Sequence, residues 1–143
     1  MRFLVDTYVL SELIKKQPSE RVVAWVREQD ELALFVSVLT FGEIEKGVAK
    51  LEDDKRCRTL RQWVDHDLKR RFLGRILDFD YEAAWRWGEI SGCAEKKGRP
   101  IPVLDAQLAA TALTHDLTFV TRNTADLAPC GVRTLNPWEL PAL

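Results

Sequence analysis

Apolar residues fall into short blocks along the chain, and their spacing switches between strand-like and helix-like periods. Arg2 to Val5 reads as a buried strand, short and rich in large apolar residues. Thr7 to Lys16 then carries Val9, Leu10, Leu13 and Ile14 at helical spacing, until Gln17-Pro18-Ser19 breaks it. Ser19 is a good N-cap for a second helix, with a stripe of Val22, Val23 and Val26 widened by Trp25. Leu32 to Val38 reads as the next strand, and Thr40 to Val48 as the next helix. Thr40 followed three residues later by Glu43 matches a capping box.

The second half repeats this rhythm. Glu52-Asp53-Asp54 precedes a long helical pattern to Phe72, with Cys57, Leu60, Val64 and Leu68 on one stripe. Lys55, Arg56, Arg58, Arg61, Lys69, Arg70 and Arg71 lie mainly off that stripe, as a solvated face or an RNA-facing one. Gly74 stops the helix, and Arg75 to Phe79 reads as a short strand. Tyr81 to Lys97 is helical, with Ala84, Trp87, Ser91 and Ala94 on one face and Trp85 pointing away from it. After the rigid loop Gly98-Arg99-Pro100-Ile101-Pro102, Val103 to Leu113 forms a small-residue helix suited to close packing. Leu117 to Thr121 is a strand running into polar and acidic residues up to Leu127, and Val132 to Leu135 suits a last edge strand.

Repeated strand-then-helix units predict one α/β domain over residues 1–143, with a mainly parallel central sheet flanked by helices. Composition changes this picture little: of 143 residues, 46% are hydrophobic and 30% charged, which suits a packed domain. No run of about 18 apolar residues is present, so no membrane-crossing helix is expected. The opening residues lack a signal-peptide pattern, and Cys57, Cys93 and Cys130 are odd in number and far apart; both fit a cytoplasmic protein. The net charge of −1 makes any nucleic-acid binding depend on local basic patches.

The chemistry rests on four acidic residues. Asp6 ends the first strand, Asp126 follows a later one, and Glu43 and Asp105 lie near the starts of helices. In a parallel sheet all four positions tend toward the edge formed by the C-terminal strand ends, where ligands bind. Clustered carboxylates repel unless a cation neutralises them, and oxygen ligands without histidine or cysteine favour Mg²⁺ or Mn²⁺ over zinc. Each residue also has a plausible local reading, which for Glu43 and Asp105 is helix capping.

A set of short motifs runs nearly end to end: Leu4-Val5-Asp6-Thr7, Ser37-Val38-Leu39-Thr40-Phe41-Gly42-Glu43-Ile44, Gly74-Arg75-Ile76-Leu77, Asp105-Ala106 with Ala109-Ala110-Thr111-Ala112, Thr121-Arg122-Asn123 and Asn136-Pro137-Trp138. In this order they resemble a PIN-domain ribonuclease of the VapC/FitB type, the toxin half of a type II toxin–antitoxin pair. The resemblance implies a three-layer α/β/α fold and an endoribonuclease in which Asp6, Glu43 and Asp105 bind Mg²⁺ or Mn²⁺. It implies a fourth position at Asn123 or Asp126, with Asp126 favoured for its charge and Thr7, Tyr8, Thr121 and Asn123 supporting the ligands. A homodimer is implied too, and a cognate antitoxin that covers apolar grooves, pushes a basic side chain into the acidic site and joins a larger complex on DNA.

One position departs from the pattern: Tyr8 stands where these proteins usually carry asparagine. Either the change is tolerated, or catalysis is weakened and the protein acts mainly by binding its antitoxin and co-repressing. A phospho-acceptor or phosphatase domain also uses a strand-end aspartate. Asp6-Thr7-Tyr8-Val9 lacks the usual Asp-x-Asp pair of those proteins, and no suitably placed lysine follows.

Overall fold

In the computed structural model, described here over residues 1–140, five parallel strands form one sheet ordered β3-β2-β1-β4-β5. They are β1 (Phe3–Val5), β2 (Leu34–Ser37), β3 (Ile76–Leu77), β4 (Thr118–Val120) and β5 (Thr134–Leu135). The alternation of blocks therefore encodes a parallel α/β sheet, as expected, and β5 is indeed an edge strand. Helices α1 (Thr7–Leu13) and α2 (Glu20–Glu28) follow β1, and α3 (Val38–Ala49) follows β2. Next come α4 (Asp54–Gln62), a π-helical turn at Trp63–Leu68, α5 (Lys69–Arg71) and, beyond β3, α6 (Tyr81–Lys96) and α7 (Val103–Thr114). The short α8 (Thr124–Leu127), absent from the sequence reading, follows β4.

The sheet divides the core into two layers. Phe3, Val5, Val36 and Val120 pack on one face with Val9, Leu10, Val22 and Phe72. Leu4 and Phe119 pack on the other with Leu108, Ala109 and Ala112 of α7. Alternate residues of β1 thus point into different layers, and both faces are covered, so the strand is apolar throughout. The alanines of α7 let it lie close to the sheet and to α6, which fixes where its first turn ends up.

Several boundaries move, for identifiable reasons. The first part of the Leu32–Val38 block becomes a 3-10 turn at Glu31–Ala33, capped by the Asp30 carboxylate accepting from Leu32 N–H at 3.0 Å. The Cys57-Leu60-Val64-Leu68 stripe continues through the π turn, because four-residue spacing does not separate a 3.6-residue turn from a wider one. Trp85 is 58% exposed and does point away from the packed face.

The capping box is not formed. The helix carrying Glu43 starts two residues early, at Val38, because Ser37 is its N-cap and accepts from Leu39 N–H at 3.0 Å. Thr40 is instead fully buried inside the helix, its hydroxyl accepting from Thr7 Oγ1 at 3.3 Å. Ser37→Ala should cost about 1 kcal/mol of stability, read from urea melts, because it removes this buried cap. An unchanged midpoint would show that Ser37 does not fix the helix start.

Candidate metal centre

Asp6 occupies the N-cap position of α1 but makes no side-chain cap bond. Its carboxylate turns toward β4 and accepts a hydrogen bond from the Thr121 hydroxyl at 2.9 Å, in a buried setting where Asp6 is only 4% exposed. Burial is the main reason its pKa rises to about 6; the Thr121 hydroxyl pulls the other way, and the charges of Asp105 and Glu43 push it further up.

Glu43 sits in the second turn of α3, past the reach of a cap, and is half-buried. Burial and the charge of Asp105 raise its pKa, against a smaller opposing effect of Lys46. One of its oxygens, Oε2, is buried without a hydrogen-bond partner among the described residues. A buried carboxylate oxygen left unpaired is costly, so this atom calls for a cation or a water.

Asp105 lies in the first turn of α7, whose N-cap is Pro102, so it is not the cap either. Its Oδ2 accepts from Asn123 Nδ2 at 2.8 Å, and the Asn123 N–H in turn donates to Thr121 Oγ1 at 3.2 Å. Thr121 and Asn123 thus hold two carboxylates from one short stretch after β4. Because α7 leads into β4, its first turn lies at the same sheet edge as the C-terminal ends of β1 and β2.

The five-strand order and the three acidic residues at its edge can be set beside known proteins. The PIN domain model matches residues 3–128. The chain belongs to the PIN-domain family. The chain is 37% identical to Toxin FitB of Neisseria gonorrhoeae over 95% of its own length and 98% of that protein. It is 32% identical to VapC ribonuclease Y4jK of Sinorhizobium fredii, covering 95% and 97% of the two chains. The crystal structure of FitAcB from Neisseria gonorrhoeae superposes with a TM-score of 0.90 at 37% identity, covering 96% of this chain and 99% of that one.

In this PIN domain the acidic residues are not equivalent. The charges of Asp105 and Glu43 act on Asp6, and that of Asp105 acts on Glu43. Asp126 is exposed on α8, and no hydrogen bond joins it to those three among the described residues. Asn123, weighed as its alternative, is the residue that touches the cluster. The donor set fits a hard divalent cation: oxygens only, one of them buried and unpaired. The three carboxylates do not already converge on a single point, as no described group of His, Cys, Asp or Glu is spaced to enclose an ion. Thr121 and Asn123 restrain Asp6 and Asp105, while Glu43 has no such partner for its buried Oε2 among the described residues.

Tyr8 does not enter the cluster. It is 64% exposed and lines a groove of about 700 Å³ between α1, α3 and α4, together with Glu43, Ile44, Val48, Leu60 and Trp63. The groove opens beside Glu43 and is walled mostly by apolar side chains. Neither His66 nor His115 takes part, and no described helix is long and apolar enough to cross a membrane.

Proposed function

We propose that this PIN domain is a metal-dependent endoribonuclease, the toxin half of a toxin–antitoxin pair, with Asp6, Glu43 and Asp105 as Mg²⁺ or Mn²⁺ ligands. The observation that carries the reading is the meeting of three acidic residues at one sheet edge, Asp6 held by Thr121, Asp105 held by Asn123, and Glu43 with a buried unpaired oxygen. The names and folds of the FitB and VapC relatives support it.

A bound Mg²⁺ or Mn²⁺ supplies charge stabilisation at the scissile phosphate and a water of lowered pKa. The chain's own contribution is orientation. Thr121 holds Asp6 ionised against the pull of burial, and Asn123 fixes the Asp105 carboxylate. Asn123 takes the fourth position in this reading, in place of the favoured Asp126. The covered faces of the sheet keep Asp6 out of bulk water, which strengthens its electrostatic effect. The apolar groove beside Glu43 suits a segment of the antitoxin, whose basic residue would reach the acidic cluster. The homodimer belongs to the same proposal.

The test is cleavage of single-stranded RNA by the purified protein with Mn²⁺ or Mg²⁺, and its loss in EDTA. Protein that neither cleaves RNA nor binds Mn²⁺ in calorimetry would sink the reading. The binding-only alternative predicts that Tyr8→Asn raises cleavage by about 10–100-fold. Because Tyr8 is turned into the groove, we expect a change of less than about threefold, since no hydrogen bond to the cluster is gained or lost by the present side chain.

A further inference from the structure

Arg122 stands between the two residues that hold the carboxylates, Thr121 and Asn123, and takes part in neither contact. Thr121 is buried against Asp6, whereas Arg122 is exposed. Its guanidinium carbon lies over the indole of Trp138, 4.2 Å from the ring centroid. Trp138 is itself pinned: its Nε1 donates to Glu12 Oε1 at 3.2 Å, its backbone N–H donates to Asn136 Oδ1 at 3.0 Å, and its carbonyl accepts from Arg21 Nη1 at 3.3 Å. The Arg122 carbonyl accepts from Asn136 Nδ2 at 3.5 Å, tying the same turn to the strand end.

Seven other arginines of the chain reach a carboxylate or a backbone carbonyl: Arg2, Arg21, Arg61, Arg71, Arg75, Arg86 and Arg133. No carboxylate pairs with Arg122 among the described residues, although three lie at the adjoining sheet edge. It is thus a cation held over an aromatic ring, with no hydrogen bond from its guanidinium among the described residues. A planar fork of donors matches two oxygens of a phosphate, and stacking reduces the rotamer entropy lost on contact.

We propose that Arg122 is a substrate-binding residue, clamping a backbone phosphate of the RNA next to the one being cleaved, with Trp138 as the positioning residue that keeps it in place. An acidic cluster repels a polyanion, and a fixed guanidinium one residue from both carboxylate supports offsets that repulsion where the strand must enter. The inference rests on the ribonuclease reading. It adds to that reading a named residue and the kind of oxygen it holds.

The experiment follows cleavage of a fluorophore–quencher single-stranded RNA in Mn²⁺ by wild type, Arg122→Gln and Arg122→Lys, across KCl from about 50 to 200 mM. Arg122→Gln should raise KM on the order of tenfold and change kcat little. The slope of log kcat/KM against log salt should become shallower by about 0.7, the value of one single-strand phosphate contact. Arg122→Lys should keep the slope and recover part of KM, since the charge remains and the fork is lost. Mn²⁺ affinity by calorimetry and Tm should match wild type in both variants. An unchanged slope in Arg122→Gln overturns the proposal, as does a loss of activity that tracks a fall in Mn²⁺ affinity or Tm. Wild type that fails to cleave at all overturns the ribonuclease reading instead, and the wild-type arm reports that by itself.

Discussion

Replacing Asp6 or Asp105 by asparagine should lower RNA cleavage by on the order of a thousandfold, with the fold retained. The magnitude follows from the several kcal/mol of charge stabilisation that a divalent ion supplies, at about 1.4 kcal/mol per factor of ten. Asparagine keeps the shape and one oxygen of each side chain, so Thr121 still has an acceptor beside Asp6 and Asn123 beside Asp105. The loss is therefore assigned to charge. Circular dichroism and Tm check the fold, and Mn²⁺ calorimetry checks the ligand role. Near-normal cleavage by either variant would remove that residue from the metal centre. Asp126→Asn is the internal contrast: exposed and outside the cluster, it should stay within about threefold of wild type.

The second large effect is on stability, and it has the opposite sign. Asp6 has a pKa near 6 in the folded metal-free chain against an ordinary value of 3.8, because burial disfavours its charge. Between those two pH values the folded state keeps a proton that the unfolded state has lost. Its contribution to stability is therefore fully present below about pH 4 and is lost as pH rises through 6. A difference of about two pH units, at about 1.4 kcal/mol each, amounts to about 3 kcal/mol by pH 7. In EDTA, Asp6→Asn should then be more stable than wild type at pH 7 by up to about 3 kcal/mol, and the gap should close toward pH 4. Glu43 shifts in the same direction, whereas Glu12 and Glu31 are lowered by Lys15 and Arg71. The contributions of Glu12 and Glu31 are common to both proteins and cancel in the comparison. Urea melts from pH 4 to 7 provide the measurement; equal stability of the two proteins at pH 7 would count against a strained Asp6. Adding Mn²⁺ at about 100 times its Kd should return about 2.7 kcal/mol to wild type and little to the variant.

The inactive enzyme is thus expected to be the more stable one. Stability given up at Asp6 is what keeps an ionised carboxylate in a buried place, and a bound cation recovers it. The same logic applies more weakly to Glu43, which is half-buried as a whole although its unpaired Oε2 is buried.

The sequence and the structure agree best where hydrophobic period is the signal. The β1 strand, the small-residue α7 and the parallel order could all be read from apolar spacing, because burial on both faces of a sheet leaves few polar positions to confuse it. The strand-end position of Asp6 followed from the same pattern. Agreement fails where a side chain's direction depends on the phase of a helix. A start at Thr40 would have spent Glu43 on capping; the start at Val38, set by Ser37, places it a turn further in and frees it for the cluster. Likewise Asp105 could have capped α7, but the chain enters at Pro102 and leaves Asp105 one turn along.

The choice between Asn123 and Asp126 shows the same limit. Charge alone favoured Asp126, and the two residues are three apart. The turn after β4 directs Asn123 inward to Asp105, and α8 carries Asp126 out to solvent. Tyr8 was also undecidable by composition, since a bulky aromatic beside a metal ligand can intrude or turn away; the start of α1 directs it into the groove. The sequence by itself determined the fold class, the strand-end carboxylate and the family. Only the tertiary structure decided which carboxylates meet and what holds them. Burial pattern is a property of a segment, but convergence depends on helix phase and on the packing of α7 against β4, which bring Asp6 and Thr121 together across 115 residues of chain.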